Sequence, residues 1–443
     1  MGARGVVLCL YAASWAVGAQ VDTARMDEVV RSYADQKRFM GSVLVARGGE
    51  VLFSKGYGFA NVEWGIPNSP ATKFRLGSIT KQFTAACILL LEERGKLKTT
   101  DPVNKHVPDA PAAWDKITIH NLLTHTSGIP NFTAFKEYPT FKRNPTTADQ
   151  TYRRIRDRNL DFQPGDKFAN SNSNYLLLGY VIERISGESY EQFLRQNVLT
   201  PLGMKDTGYD SREIIPRRAA GYSPGGQGMR NAEYVDMTIP HAAGALYSTT
   251  EDLLRWEQGL FGGKLLSAES LNKMTTPFKD NYAYGLDVRA AKGRKVISHG
   301  GGIEGFNTHL AFYPEDRLAV VTLANLNGPT PREIVSKLAD IAHGENVVLP
   351  AERKAVTLAP KILEAYVGSY ELRPGFDMVV TLENGQLMTQ ATGQRKTSIF
   401  AESETRFFLK VVEAEIEFVK DASGKVTHLV LFQGGRKVKG NRK

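Results

Sequence analysis

Cysteine is scarce in this chain, which has 2 cysteines among 443 residues. Cys9 lies in an apolar N-terminal stretch that we expect to be removed, which leaves Cys87. A single cysteine forms no internal disulfide, so a disulfide-stapled scaffold is excluded and Cys87 is expected to be a small core residue. Metal-ligand spacing is missing as well, because His125 has no partner at such a spacing, and we expect no metal site and no cofactor.

Apolar runs long enough to span a membrane are missing from the sequence as well. Residues 6–17, which follow Arg4, form an apolar segment that is too short to cross a bilayer. The small residues at Val17-Gly18-Ala19 come at its end, where a signal peptidase would cut. This pattern is typical of a secretory signal peptide, so we predict that residues 1–19 are cleaved and that the protein is secreted or periplasmic, without a stable membrane span. An uncleaved anchor or a lipoprotein is the alternative, but Leu8 is too large for the position before a lipidated cysteine.

A surface of one charge sign is not evident, although the net charge is +9. Lysines and arginines are interspersed with acids along most of the chain, and basic residues concentrate in segment 436–443. No aromatic residues are interleaved with a basic stripe and no nucleic-acid motif is evident, so we expect no nucleic-acid partner. A basic surface could keep the protein near an anionic envelope polymer, but a solvated tail explains the C-terminal charges more simply.

The features that are present predict a large α/β domain followed by a small all-β domain. With 42% hydrophobic and 23% charged residues, the composition is that of a soluble globular protein. A hairpin at residues 42–54 precedes helices and strand patterns return at residues 284–323, which predicts an α/β (α+β) fold: an antiparallel sheet flanked by helices, with an all-helical insert. Short alternating runs with turn glycines follow. The predicted domains are a main domain at 20–345, a linker at 346–357 and a small all-β domain at 358–443.

Ser78 and Lys81 are the strongest candidates for chemistry. They are three residues apart, which on a helix places them on one face, one turn apart. A serine hydroxyl needs a base to attack at neutral pH, and a lysine kept neutral by burial can take its proton. A glycine precedes Ser78, and a long apolar helical pattern follows Lys81. A second Ser-x-x-Lys copy, Ser270 with Lys273, lies in a polar segment and lacks both features.

The residues around Ser78 resemble a known nucleophile motif. The letters GSITKQFTAA at residues 77–86 are similar to the motif of the penicillin-recognising serine hydrolases, in the branch of class C β-lactamases, DD-peptidases and family VIII esterases. The resemblance runs from about residue 41 to about residue 327, and includes NLLTHTSGIP at residues 121–130 and PLGM at residues 201–204. It implies a β-lactamase/transpeptidase-like fold, and the C-terminal part resembles the lipocalin-like barrel domain often appended to this family.

The same resemblance implies further site residues, with one departure. The family carries a Tyr-x-Asn motif after a Pro-Gly-x-x-Phe segment, and the match places Asn172 in the asparagine position and Asn170 in the tyrosine position. An amide cannot relay a proton as a phenol does. Either Lys81 is the sole base, helped by water or by another phenol such as Tyr222 or Tyr247, or the chain is a slow or impaired member of its family.

A glycine-rich stretch, His299-Gly300-Gly301-Gly302, ends a predicted strand and occupies the position of the family's third motif. The resemblance implies that Gly300 and Gly301 let substrate lie against the strand edge. It also implies an oxyanion hole made by the backbone N–H groups of Ser78 and Gly302. His299 is expected to offer the substrate a hydrogen bond or a positive charge.

Together these features predict an exported serine hydrolase that forms an acyl-enzyme at Ser78 with Lys81 as base. The expected substrates are small molecules or peptides: D-amino-acid amides, peptides such as those of the cell wall, or β-lactams. A carboxylesterase at the same site is an alternative, because esters tolerate a weaker proton donor. A non-catalytic penicillin- or peptide-binding sensor is the alternative from another class, and the presence of both Ser78 and Lys81 argues against it.

Overall fold

The computed structural model describes residues 21–107, 109–226, 228–433 and 436–443. The predicted signal peptide lies outside these residues. Within them, no helix combines the length and apolar character needed to cross a bilayer.

The helices before residue 345 have the following bounds: α1 (Thr23–Asp35), α2 (Thr80–Glu93), α3 (Ile119–Leu123), α4 (Tyr138–Phe141), α5 (Ala148–Arg156), α6 (Asn172–Ser186), α7 (Tyr190–Leu194), α8 (Thr250–Phe261), α9 (Ala268–Thr275) and α10 (Thr330–Ala342). The strands of the same region are β1 (Gly41–Arg47), β2 (Glu50–Tyr57), β3 (Phe59–Asn61), β4 (Ile66–Pro67), β5 (Phe74–Arg75), β6 (Gly208–Tyr209), β7 (Tyr222–Gly225), β8 (Gly228–Asn231), β9 (Leu246–Ser248), β10 (Asp287–Ala291), β11 (Arg294–Ile303), β12 (Phe306–Tyr313) and β13 (Leu318–Ala324).

An antiparallel sheet with the order β10-β11-β12-β13-β1-β2 is the centre of this region. The hairpin β1–β2 and the strands β10–β13 are far apart in sequence and meet where β1 pairs with β13, with Leu44 opposite Val321. The predicted completion of the N-terminal hairpin by the later strands is therefore confirmed.

Helices cover both faces of this sheet, because the central strands are apolar on both faces. In β1, Val43 and Val45 point into a core shared with α1 and α10, whereas Leu44 and Ala46 point into the larger core that contains α2. Successive residues of a strand face opposite sides of its sheet, so a continuous apolar run produces two cores. The layer order is helix, sheet, helix.

The insert between β5 and β10 is mainly helical, as predicted, and also carries short strands. It contains α3 to α9, a three-stranded sheet of order β5-β9-β6 and the hairpin β7–β8. The polar, aromatic segment that follows residue 130 forms a 3₁₀ turn at Phe132–Ala134 and the single-turn helix α4.

A closed barrel follows, as the alternating runs predicted. Its elements are α11 (Pro360–Glu364), β14 (Gly368–Arg373), β15 (Phe376–Glu383), β16 (Gln386–Ala391), β17 (Thr397–Ala401), β18 (Arg406–Leu409), β19 (Ala414–Lys420), β20 (Val426–Gln433) and β21 (Arg436–Arg442). The strands β14 to β21 pair in sequence order and close on each other.

The basic C-terminal segment is a strand of this barrel, which corrects its interpretation as a solvated tail. Strand β21 pairs with β20 along most of its length and with β14 at its end. The guanidinium group of Arg442 donates to the backbone carbonyls of Ala365 and Val367 at 3.1 and 2.6 Å. The lysines of β21 face solvent, so no apolar alternation marks this strand in the sequence.

Glu257, on α8, is a carboxyl group that the fold encloses. It is 3% exposed, and its Oε2 accepts no hydrogen bond from the described residues. Burial raises the pKa of Glu257 well above its usual 4.5. Because the folded-state pKa exceeds the unfolded one, Glu257 has no electrostatic cost at low pH and destabilises the fold as the pH rises above the unfolded value.

We expect Glu257→Gln to stabilise the protein near pH 7 by at least about 1 kcal/mol, since each unit of pKa shift corresponds to roughly 1.4 kcal/mol. The gain should fade towards about pH 4, where the carboxyl is neutral in both states. Thermal unfolding at both pH values measures this. Glu251→Gln is the matched control, because Glu251 is an exposed carboxylate on the same helix. An equal change at both pH values would contradict the expectation.

Candidate active site

The nucleophile candidate lies in a tight turn at the start of a buried helix. Ser78 belongs to a 3₁₀ turn, Gly77–Ile79, that continues directly into α2, so the predicted helix start is confirmed. Gly77 has a φ of +56°, and a Cβ at this position would lie 2.8 Å from the backbone nitrogen of Gly302. Any other residue would push the turn away from β11, so this approach needs glycine.

Gly301 allows the same approach from the strand side. A Cβ at Gly301 would lie 1.9 Å from the carbonyl oxygen of Leu76, and Thr308 Oγ1 donates to that oxygen at 2.7 Å. The missing side chain of Gly301 lets β11 pack against the segment that leads into Ser78, and its expected contact with substrate stays a prediction.

The amine of Lys81 lies beside the Ser78 hydroxyl. Lys81 Nζ is 2.8 Å from Ser78 Oγ and 2.9 Å from both Asn172 Oδ1 and the carbonyl oxygen of Ala243. A neutral amine carries two N–H groups and one lone pair. The amide and carbonyl oxygens accept the N–H groups, which directs the lone pair at the Ser78 hydroxyl. This is the geometry that a general base needs.

Burial favours the neutral form of this amine. Lys81 is 0% exposed, and among the described residues no carboxylate forms an ion pair with it. Loss of hydration disfavours the ammonium, and burial lowers the pKa of Lys81 from 10.5 to about 7. A large fraction of Lys81 is therefore ready to accept a proton at neutral pH.

The second Ser-x-x-Lys copy shows why spacing alone does not create such a base. Lys273 Nζ lies 3.4 Å from the carboxylates of both Glu92 and Glu269. Burial acts to lower the pKa of Lys273, but these carboxylates outweigh it and the pKa is raised. Lys273 thus keeps its proton, and the preference for the first copy is supported by its environment.

Asn172 is held in one orientation by groups on the segment that leads into α4. Its Nδ2 donates to Thr133 Oγ1 at 3.3 Å, and its backbone N–H donates to Asn131 Oδ1 at 3.1 Å. This directs Oδ1 towards Lys81. The neighbouring Ser171 N–H donates to Nδ1 of the buried His125 at 3.3 Å, so His125 has the structural role that was expected of it.

Ser78, Asn172 and Gly302 line one cavity of about 190 Å³, which places these predicted residues together. Thr133, Tyr138 and Glu304 line the same cavity and were missed by the sequence analysis. Their segments carried a signal in the sequence: the stretch after residue 130 is polar and aromatic without a regular period, and Glu304 lies two residues after the glycine run. No sequence pattern could mark the carbonyl of Ala243 as part of the site, because every residue has a backbone carbonyl group.

Asn170, His299 and Gly300 lie outside this cavity, in a neighbouring cleft of about 720 Å³. The imidazole of His299 is already bonded: Nδ1 donates to the carbonyl of Gly300 at 2.6 Å, and Nε2 accepts from the hydroxyl of Tyr282 at 3.0 Å. Burial, reinforced by the charge of Lys81, lowers the pKa of His299 to about 4. Of the two expectations for His299, this environment favours the neutral imidazole over the positive charge, and a hydrogen bond to the substrate stays a prediction.

Tyr222 and Tyr247, the phenols considered as possible proton-transfer partners of Lys81, make their contacts away from Ser78. Tyr222 OH accepts from the backbone N–H of Val62 at 2.8 Å and donates to Glu63. Tyr247 packs against Gly208, with Lys73 Nζ 5.7 Å from its ring centroid. Neither residue lines the cavity at Ser78. Tyr138 is the phenol that does, and burial raises its pKa to about 12.

Comparison with known proteins identifies relatives along most of the chain. The profile of the family described as Beta-lactamase matches residues 26–344, and a domain of unknown function, DUF3471, matches residues 352–442. Penicillin-binding protein 4* of Bacillus subtilis (strain 168) is 30% identical over 444 residues, which cover 93% of this chain and 96% of that protein.

Solved structures agree with these matches. The octameric penicillin-binding protein homologue from Pyrococcus abyssi superposes with a TM-score of 0.68 at 27% identity, covering 95% of this chain and 100% of that one. A D-stereospecific amidohydrolase from Streptomyces sp. superposes with a TM-score of 0.62 at 26% identity, covering 71% and 98%. The nucleophile turn, the buried lysine and these matches agree, and the chain belongs to the Beta-lactamase family.

Proposed function

We propose that this protein is a serine hydrolase that forms an acyl-enzyme at Ser78, with Lys81 as the general base. The observation that supports it most directly is the buried Lys81 amine 2.8 Å from Ser78 Oγ, with its N–H groups bound by Asn172 Oδ1 and the Ala243 carbonyl. A non-catalytic sensor would have no need of this orientation. Family membership supports hydrolase chemistry in general.

In the acylation step, the lone pair of Lys81 Nζ takes the proton of the Ser78 hydroxyl while Oγ attacks the substrate carbonyl carbon. The tetrahedral intermediate collapses as the carbonyl–nitrogen bond breaks, and the leaving amine takes its proton from the Lys81 ammonium. Water then attacks the Ser78 ester, passing a proton to Lys81. Release of the carboxylic acid returns that proton to Ser78 Oγ, so the enzyme is regenerated.

The oxyanion of both intermediates needs backbone donors in this mechanism. We assign this role to the N–H groups of Ser78 and Gly302, which line the same cavity. The close packing of Gly77 on β11 supports the assignment, because it brings the strand to the nucleophile turn. Gly301 allows the same packing, because a side chain at this position would clash with the carbonyl oxygen of Leu76.

The asparagine in the tyrosine position leaves Lys81 to carry both proton transfers. None of the described phenols hydrogen-bonds to Ser78 or Lys81, and Asn170 is exposed in the neighbouring cleft. We infer that Lys81 acts as sole base with water, and that hydrolysis of a bulky acyl-enzyme is slow. Loss of a positioned acid–base group generally costs about 10²- to 10⁴-fold in rate.

The proposed substrates are amides or peptides of D-amino acids, or β-lactams. A D-stereospecific amidohydrolase among the structural neighbours supports the first class, and the name of the Bacillus relative supports the second. The signal-like N-terminus supports export, with the hydrolase domain at residues 20–345 and the small all-β domain at residues 358–443.

We expect p-nitrophenyl acetate, a small activated ester, to place one acetyl group on Ser78, because this neutral ester needs only the nucleophile, the base and the oxyanion donors. Intact mass and peptide mapping after short incubation measure this. Ser78→Ala should abolish the adduct. Ser270→Ala, the matched change in the second Ser-x-x-Lys copy, should leave it intact. Acetylation that persists in Ser78→Ala would contradict the proposal.

The environment of Lys81 predicts a pH profile. The base must be neutral, so kcat/KM should fall about tenfold per pH unit below an apparent pKa of about 7. Asn172→Asp would place a carboxylate at the position now 2.9 Å from Lys81 Nζ. An opposite charge at this distance raises the pKa of an amine by about 1–3 units, so the acid limb should move to higher pH, with activity recovered in alkaline buffer.

Asn170→Asp is the control for this change. It introduces the same charge two residues earlier, in the neighbouring cleft and without a contact to Lys81. The acid limb of this variant should match that of the wild type. If Asn172→Asp left the limb where it is, Lys81 would not be the titrating base.

A further inference from the structure

The cavity at Ser78 has an uneven charge. Among the described residues that line it, Glu304 carries the one ionisable group that is charged at neutral pH, while Tyr138 stays a phenol because burial raises its pKa to about 12. The remaining lining residues are glycines, apolar residues, hydroxyls and the Asn172 amide. A substrate that enters this cavity therefore meets a negative charge.

Glu304 is held in place from outside the cavity. Lys142 Nζ donates to Glu304 Oε1 at 2.8 Å and to Glu233 Oε2 at 3.0 Å, so one ammonium is shared by two carboxylates. Arg143 approaches Glu233 at 3.9 Å from an exposed position. No described residue donates to Glu304 Oε2, and the side chain is 21% exposed. One carboxylate oxygen is thus positioned and free to accept a further hydrogen bond.

Glu304 lies close in sequence to Gly302, the residue assigned to the oxyanion hole. It lies two residues after Gly302, in the turn that follows β11. Glu304 lines the same cavity as Ser78 and Gly302, the residues assigned to attack and to bind the scissile carbonyl. The carboxylate is therefore placed to accept a hydrogen bond from an ammonium next to the scissile carbonyl.

A counter-ion for a substrate carboxylate is missing from the same cavity. Among the described lining residues there is no arginine or lysine. His299, in the position where a charge was expected, is neutral, bonded on both ring nitrogens and in the neighbouring cleft. Lys142 is already shared between Glu304 and Glu233 and does not line the cavity, so a substrate carboxylate beside Glu304 finds no counter-ion of its own, which costs free energy because like charges at short range repel.

We propose that Glu304 makes this site selective for substrates with a free ammonium adjacent to the scissile carbonyl, such as D-amino-acid amides, over substrates with a carboxylate near the scissile bond, such as penicillins. This rests on the proposed serine hydrolase function and narrows its substrate class. Lys142 is a positioning residue, because it acts through Glu304.

The test compares D-alanine p-nitroanilide with its N-acetyl derivative, in which an uncharged and larger acetamide replaces the ammonium. The wild type should have a higher kcat/KM for the free amine. Glu304→Gln should lower the ratio of the two kcat/KM values by about ten- to a hundredfold, mainly through KM, because a charge-assisted hydrogen bond is lost. The same variant should be acylated by benzylpenicillin faster than the wild type, because the repulsion is removed.

Glu233→Gln is the matched control. It removes the other carboxylate from Lys142 but does not line the cavity, so the substrate ratio should stay within about twofold of the wild type. An equal loss for both anilides in Glu304→Gln would show that Glu304 only supports the fold and would overturn the proposal. So would a wild type that does not favour the free amine.

Acetylation of Ser78 by p-nitrophenyl acetate separates this proposal from the one on which it rests. If the ester acetylates Ser78 but the anilides show no selectivity for the amine, the substrate assignment fails and the serine hydrolase stands. If Ser78 is acylated by neither the ester nor benzylpenicillin, both proposals fail.

Discussion

Removing the Lys81 ammonium from water costs several kilocalories per mole unless it loses its proton or meets an opposite charge. No described carboxylate contacts Nζ, so the fold favours the neutral amine. The arrangement of hydrogen bonds around Ser78 follows from the neutral state of Lys81. The amine is bound by two uncharged oxygens, its lone pair is left for the serine, and the surrounding side chains exclude water that would restore the ammonium.

Keeping this amine dry requires distant parts of the chain to approach closely. Lys81 lies on α2, Asn172 begins α6, and the carbonyl of Ala243 belongs to a 3₁₀ turn, His241–Ala243. Gly179 on α6 allows that turn to approach, because a Cβ there would lie 2.4 Å from the Cβ of Ala242. The packing of small residues thus sets the hydrogen bonds of the base.

The charges around the cavity complete the chemical character of the site. His299 is neutral, and the carboxylate of Glu304 is fixed by Lys142 at the rim. The proposed preference for substrates with an ammonium rests on these two features, a neutral base beside the nucleophile and a carboxylate at the rim.

The sequence by itself determined the layers of the fold, most strands of the barrel and the pairing of Ser78 with Lys81, because these depend on local periodicity and spacing. The pairing of β14 with β21, which closes the barrel, was not determined by local pattern, since these two strands lie at opposite ends of the domain sequence. Only the tertiary structure decided which Ser-x-x-Lys copy holds a neutral amine, on which side His299 lies and which carboxylate faces the substrate. Those properties depend on burial and on partners far apart in sequence, such as Asn172 and Ala243 for Lys81, and spacing along the chain does not record them.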